Sequence, residues 1–276
     1  MTKIVNKEIL NENTILMDLH CPLIAKKALA GQFIILRIDE FSERIPLTIN
    51  NCDKDNIRII FQTVGKTTMK LGYLNVDDDI LDVVGPLGKP TEFAGSKVAV
   101  VVGGLGCAIG FMSAKQLFQN KVTVDIIAGF RNKEAIILKK EMAEVCDELF
   151  LCTDDGSYGF SGFVSDKLSE LLNTKAYDLV VTIGPLVMMK AISKVTQPLN
   201  IKTLASMNPI MMDGSGMCGC CRLSYGNETK FACVDGPDFE ADKVDFDELI
   251  IRNNFYRNQE QKALEHYCNL LKKEEG

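Results

Sequence analysis

Near residue 95 the hydrophobic pattern of the chain switches from one rule to another, and that switch limits its fold more than any other feature. Before it come short β-branched segments, KIVNKEIL, NTILMDLHC, QFIILRI, IPLTI, NIRIIFQTVG and DILDVVG. Turn residues separate them at intervals of about 8–12 residues, the pattern of an antiparallel barrel or sandwich. After it, KVAVVVGG (97–104), KVTVDIIAGF, ELFLCTDD, YDLVVTIG and IKTLASM are continuous apolar strands. The stretches between them, AIGFMSAKQLFQN, EAIILKKEMAEVC and GFVSDKLSELLN, have helical character. Strands alternating with helices require right-handed crossovers and build a parallel, doubly wound α/β sheet. The expected order is an antiparallel β-barrel over 1–95, an α/β doubly wound unit over 96–208, a cysteine-rich segment over 209–250 and a charged helical tail over 251–276.

At 276 residues and 46% hydrophobic the chain can bury a large core, enough for more than one domain. Its net charge of -6 disfavours a nucleic-acid partner, which needs a basic face to displace counterions. No apolar run approaches the roughly 20 residues that cross a bilayer. The start, MTKIVNKEIL, lacks a signal peptide's apolar core, so a cytoplasmic location and no membrane partner are expected. In a reducing compartment ten cysteines are not a disulfide framework. Cys21, Cys52, Cys107, Cys146, Cys152 and Cys268 are scattered among apolar neighbours, where a thiol packs as a small hydrophobe. The two histidines, His20 and His266, sit in no ligand pattern.

Three constellations carry chemistry. The first is VVVGGLGCAIG, with Gly103, Gly104, Gly106 and Gly110 at a strand-to-helix junction. Glycines there let backbone approach a pyrophosphate, and the helix start supplies free N–H groups. The spacing departs from the three-glycine dinucleotide fingerprint, and VTVDIIAGF ends without the acidic residue that holds a ribose hydroxyl. TDDGSYG (153–159) and IGPLVMM (183–189) follow later strands of the same sheet, at whose carboxyl ends ligands gather. The second is RIPLTI (44–49), with VGKTT (64–68) and VGPLG (84–88) downstream. Arg44 can pair with a phosphate, Thr48 can hydrogen-bond a polar ring edge, and Gly65, Thr67 and Thr68 offer further donors. An ordinary surface arginine and plain turns are the bland alternative.

The third is MMDGSGMCGCC (211–221) followed by Cys233. Asp213, Cys218, Cys221 and Cys233 reproduce the spacing of plant-type 2Fe-2S proteins, with aspartate where the first cysteine stands. A carboxylate is a harder, less electron-donating ligand than a thiolate and should alter the cluster's potential. A zinc site of Cys218, Cys220, Cys221 and Cys233 competes, although adjacent Cys220 and Cys221 in extended backbone point opposite ways.

These constellations, in this order, resemble the ferredoxin–NADP reductase superfamily, including the electron-transfer subunits of dihydroorotate dehydrogenase. GQFIILRIDEFSERIPLTI, VGKTTMKLG, DVVGPLGKP, ASMNPIMMDGSGMCGCCR and FACVDGPDFEADKVDFDEL resemble most the small subunits of NADH-dependent reduced ferredoxin:NADP oxidoreductases, also known as sulfide dehydrogenase small chains. The likeness runs to about residue 250. It implies FAD contacted by Arg44, Pro46, Leu47, Thr48, Gly65, Thr67 and Thr68, and NAD(H) lined by Gly103, Gly104, Gly106, Asp155, Gly184 and Pro185. It implies a 2Fe-2S cluster on Asp213, Cys218, Cys221 and Cys233, with Cys220 not a ligand. It further implies a larger partner subunit with a second flavin and 4Fe-4S clusters that binds NADP(H), ferredoxin reached through that complex, and flavin-based electron bifurcation. No catalytic acid, base or nucleophile is demanded, since the chemistry is the flavin's. The alternatives are the electron-transfer subunit of dihydroorotate dehydrogenase, which has cysteine in place of Asp213, and a non-catalytic sensor of redox state and NADH. The apolar positions of the tail, Phe255, Leu264, Tyr267, Leu270 and Leu271, suit either a solvated helix or a subunit contact.

Overall fold

The computed structural model describes residues 1–274 of the chain, with side chains as far as residue 270. Seven strands form the first sheet: β1 (Thr2–Asn11), β2 (Thr14–His20), β3 (Phe33–Arg37), β4 (Ile45–Cys52), β5 (Asn56–Gln62), β6 (Asp79–Ile80) and β7 (Asp82–Leu87). They pair antiparallel in the order β6-β1-β2-β5-β4-β3-β7. The two outermost strands, β6 and β7, adjoin in sequence at Leu81, so the sheet curls until its ends nearly meet, as a barrel. Ile4, Met17, Leu19, Ile34, Leu36, Ile57 and Ile59 fill its interior. Helix α1 (Pro22–Ala25) joins β2 to β3, and α2 (Lys66–Tyr73) follows β5.

The second sheet starts at β8 (Lys97–Gly103), followed by helix α3 (Gly106–Gln119), β9 (Thr123–Phe130), α4 (Lys139–Ala143), β10 (Glu148–Thr153), β11 (Phe160–Ser161), α5 (Val164–Leu172), β12 (Leu179–Ile183), α6 (Leu186–Thr196) and β13 (Lys202–Ser206). Along β8 the side chains alternate between two cores. Val98, Val100 and Val102 pack with Ala114 and Leu117 of α3. Ala99 and Val101 pack with Leu168 of α5 and Ile192 of α6. A strand covered on both faces must be apolar throughout, which is why KVAVVVGG shows no polar alternation. The strand order β11-β10-β9-β8-β12-β13 reverses direction at β8 and β12, the crevice position for ligands in doubly wound sheets.

A hairpin of β14 (Arg222–Tyr225) and β15 (Glu228–Phe231) follows the cysteine-rich loop, and α7 (Ala232–Asp235) holds Cys233. Then β16 (Asp238–Glu240) returns antiparallel beside β13 at the sheet edge. The segment expected to be a cluster loop thus also contributes a strand to the α/β sheet. Helices α8 (Phe246–Asn253) and α9 (Arg257–Glu274) complete the described residues.

Two expectations need correction. EAIILKKEMAEVC is not one helix: a 3-10 turn spans Lys133–Ala135, Leu138 is left-handed at φ 54°, and only α4 is α-helical. Ile137 leaves the helical path to fill the core beside Met142, and neighbouring β-branched residues favour extended backbone. The charged tail is two helices. Asp245 caps α8 by accepting the Glu248 N–H at 3.0 Å, while Phe246 and Leu249 are buried, so α8 belongs to the core. Helix α9 packs against α2, with Leu264 and Tyr267 half-buried and Phe255 and Leu270 exposed; the Leu271 side chain and residues 275–276 lie outside the described residues. Cys21, Cys107, Cys146 and Cys152 are buried as expected, whereas Cys52 and Cys268 are half-buried. Among the described residues no helix is long and apolar enough to cross a membrane.

Candidate cofactor cleft and cluster-binding loop

The carboxyl ends of β8, β9 and β12 open into a cleft of about 1180 Å³ whose opposite wall is the barrel. Pro46, Leu47 and Thr48 of β4 line it together with Gly103, Gly104, Gly106, Gly184 and Pro185. Two sets of residues that the sequence places some 55 to 140 positions apart therefore share one space. At Gly106, the first residue of α3, a Cβ would stand 2.2 Å from the Ile183 carbonyl oxygen. Only glycine lets the helix start press against β12, which aims its free N–H groups at the crevice.

The remaining candidates are arranged differently. Arg44 precedes β4 and does not line the cleft. Gly65 and Thr68 close a turn on themselves: Thr68 Oγ1 accepts the Gly65 N–H at 3.0 Å and donates to the Gly65 carbonyl at 3.0 Å. The buried Thr67 hydroxyl donates to Glu43 Oε2 at 3.1 Å. From this turn it is Val64 that reaches the cleft. The Asp155 carboxylate accepts the Ser157 N–H at 2.9 Å and its hydroxyl at 2.6 Å, bonds that hold it below the usual carboxylate range. Its neighbour Asp154 lines the cleft instead.

The cysteine-rich loop joins β13 to β14. Cys221 and Cys233 are buried with their Sγ atoms 3.1 Å apart, and the Cys233 N–H points to Cys221 Sγ at 3.4 Å. Burial, then the neighbouring sulfur, pushes the Cys233 thiol up to about 12. Asp213 and Cys218 stand apart from this pair: Asp213 Oδ1 accepts the Ser215 N–H at 2.8 Å and hydroxyl at 3.0 Å, and Cys218 is exposed. Those Ser215 bonds lower the Asp213 carboxyl, with Cys218 and the more distant Arg44 adding to the effect. Among the described residues no three Cys, His, Asp or Glu side chains converge closely enough to hold a metal ion as they stand. The donor set nevertheless suits one. Two buried thiols side by side become thiolates only against a strong local positive charge, and the loop that carries the other two donors is jointed at Gly216 and Gly219, both at positive φ. Cys220 is half-buried, and its carbonyl accepts from Arg252 Nη2 at 3.1 Å.

Residues 208–245 match the iron–sulfur cluster binding domain of dihydroorotate dehydrogenase B. A Thermotoga maritima protein described as a homologue of the dihydroorotate dehydrogenase B (NAD(+)) electron transfer subunit is 39% identical over 97% of this chain and 95% of its own length. The chain belongs to the dihydroorotate dehydrogenase B electron-transfer subunit family. A second family-length relative, an uncharacterized protein in the adh 3′ region of Clostridium beijerinckii, is 45% identical over 95% of this chain and 93% of its own. A chain in the structure of the NADH-dependent reduced ferredoxin-NADP oxidoreductase, studied for flavin-based electron bifurcation, superposes with a TM-score of 0.92. It is 38% identical and covers 97% of this chain and 98% of that one.

As a member of this family the chain is an oxidoreductase electron-transfer subunit with a ferredoxin reductase-like fold and a C-terminal iron–sulfur segment. Several residues lining the family cleft escape motif reasoning, notably Phe33, Gln62, Arg131, Asn208 and Met211. Asn208 and Met211 had a usable signal, because they lie two and five residues past the last parallel strand, where ligand loops collect, Met211 opening the cysteine-rich stretch itself. Phe33 had none, since it sits in a strand that otherwise reads as core.

Proposed function

We propose that this chain is the FAD- and 2Fe-2S-bearing subunit of an electron-bifurcating, NADH-dependent ferredoxin:NADP oxidoreductase. The observation that carries the reading is adjacency. Phe33, which lines the cleft, shares one hydrophobic core with Cys221 and Cys233, so a flavin held in that cleft would lie next to a cluster held by those cysteines. When bound, FAD exchanges two electrons with a nicotinamide and single electrons with a cluster. Pro46, Leu47 and Thr48 form the flavin wall, Arg44 is assigned to the flavin phosphates beyond the cleft proper, and Gly65, Thr67 and Thr68 act by shaping the turn that sets Val64 at the cleft. Gly103, Gly104 and Gly106 present the N-terminal end of α3 to a dinucleotide pyrophosphate, and Gly184, Pro185 and Asp155 complete the NAD(H) side. Asp213, Cys218, Cys221 and Cys233 hold the cluster. The backbone N–H groups of the glycine-rich loop are available to its sulfides, and burial of Cys221 and Cys233 keeps water from that side.

Full-length similarity to the bifurcating oxidoreductase chain supports this reading. The matched cluster-domain family and the Thermotoga relative support a second one, an electron-transfer subunit serving dihydroorotate dehydrogenase. Asp213 at the first ligand position favours the former. The larger subunit separates them: native mass spectrometry of the affinity-isolated complex should show a flavin and 4Fe-4S partner, and the isolated complex should oxidise NADPH. A partner that oxidises dihydroorotate would reverse the assignment. The cytoplasmic location belongs to the same proposal.

A further inference from the structure

Strand β3 is buried on both faces. Ile34 and Leu36 point into the barrel, while Phe33 and Ile35 point outward into the core that contains Met207, Met211, Cys221 and Cys233. Its neighbour β4 sets Pro46 opposite Ile35, Leu47 opposite Ile34 and Thr48 opposite Phe33. The ligand loop is pressed onto this same strand at Gly214, which is buried at φ +74°. A Cβ there would stand 2.7 Å from Leu87 Cδ1 and 3.3 Å from Ile35 Cδ1. The other end of the segment is tied to the barrel as well: the Lys89 N–H donates to the Gly236 carbonyl at 2.6 Å, three residues past Cys233, and Thr91 hydrogen-bonds Asp238.

We propose that Gly214 is a positioning residue for electron transfer between flavin and cluster. Its missing side chain lets the ligand loop seat on Ile35 and Leu87, and that seat fixes the separation between the flavin on β4 and the cluster on Asp213, Cys218, Cys221 and Cys233. The inference rests on the cofactor reading above. The step it governs would move one electron: a flavin held on β4 would supply two-electron exchange with NADH, and one of the two electrons would pass to a cluster held by Asp213, Cys218, Cys221 and Cys233 while the other stays on the flavin, with no bond made or broken at Gly214. Single-electron transfer slows steeply with distance, so a loop lifted off its seat shows as a rate and not as a missing cofactor.

The test uses the full chain reconstituted with FAD, iron and sulfide. After mixing with NADH, flavin bleaching and cluster reduction are followed separately in Gly214→Ala, Leu87→Phe and the Gly214→Ala/Leu87→Ala double variant. Leu87→Phe crowds the seat from the barrel side without changing the loop. Gly226→Ala is the control, because Gly226 also has positive φ, +58°, but has nothing within 4 Å of its Cβ position. The expected result is unchanged flavin bleaching with cluster reduction several-fold slower in Gly214→Ala and in Leu87→Phe, and recovery in the double variant. In the cofactor-free chain, amide exchange across 213–217 should rise in Gly214→Ala and fall back in the double variant. Unchanged cluster reduction and exchange in both single variants would overturn the seat. So would equal slowing in Gly226→Ala, or no recovery in the double variant, since backbone strain alone would then be the cause. A wild-type chain that takes up neither flavin nor iron would overturn the cofactor reading itself, and the seat with it.

Discussion

The cleft and the cluster loop differ in how much of each is built before any ligand arrives. Eight of the expected nucleotide and flavin residues already face one another across a single space. The four expected cluster ligands fall into two separate pairs: Cys221 and Cys233 meet deep in a core, while Asp213 and Cys218 meet each other on the outer part of a glycine-jointed loop. A cleft between two packed sheets is a by-product of their packing and needs nothing to hold it open. A set of four donors brought together without a cation would place sulfurs and a carboxylate against one another, so on the proposed function the fold fixes half the set and a bound cluster would gather the rest.

The harshest way to break this contrast is to remove a member of the buried pair. Cys233→Ser should abolish cluster assembly, seen as loss of iron, while flavin uptake persists. It should also cost the cofactor-free chain about 1–3 kcal/mol in urea unfolding, because a hydroxyl replaces a buried sulfur packed against another. Cys218→Ser, exposed on the loop, should also lose the cluster but leave cofactor-free stability within about 0.5 kcal/mol of wild type. Equal destabilisation by the two would erase the distinction between a fixed and a waiting half.

The cleft side is tested at Gly106. Its Cβ would meet a backbone oxygen, which cannot yield, whereas the one at Gly214 would meet the end of a leucine side chain. Gly106→Ala is therefore expected to destabilise by about 1–3 kcal/mol and weaken NAD(H) binding by calorimetry, with iron content unaffected. A smaller effect is expected at Asp213. Asp213→Cys should keep a 2Fe-2S cluster and shift its midpoint potential in a redox titration, and an unchanged potential would speak against ligation.

The smallest effect is a pH dependence in the barrel. Asp39, beside Lys70 of α2, has its carboxyl held down to about 2 by that hydrogen bond. A carboxyl lowered in the folded state stabilises fully above its unfolded value near 3.8 and loses that stability as pH falls toward about 2. Asp39→Asn should flatten the acid limb of the stability curve over that window, and leave stability at neutral pH slightly reduced.

The two halves were also unequally legible in the sequence. Strands buried on both faces, such as KVAVVVGG, announce themselves through unbroken apolar runs, and glycines at a strand-to-helix junction mark the crevice. The segment after residue 208 reads by cysteine spacing alone, which identifies donors but not backbone. Its hairpin, β14 to β15, has mostly polar and half-buried positions, and β16 is three residues long, too short for any periodicity. The double duty of β3 was hidden for a related reason. In QFIILRI every position is apolar from Phe33 to Leu36, and nothing in that run says that alternate residues serve different cores. Of the flavin candidates, Gly65, Thr67 and Thr68 look like free donors in sequence, whereas the fold commits them to their own turn and to Glu43.

Cofactor stoichiometry separates a flavin and iron–sulfur chain from a zinc-binding one. Iron, acid-labile sulfide, zinc and flavin are measured on the full chain after anaerobic reconstitution and desalting. One flavin with about two irons and two sulfides per chain is the predicted result. One zinc per chain with no flavin would contradict it.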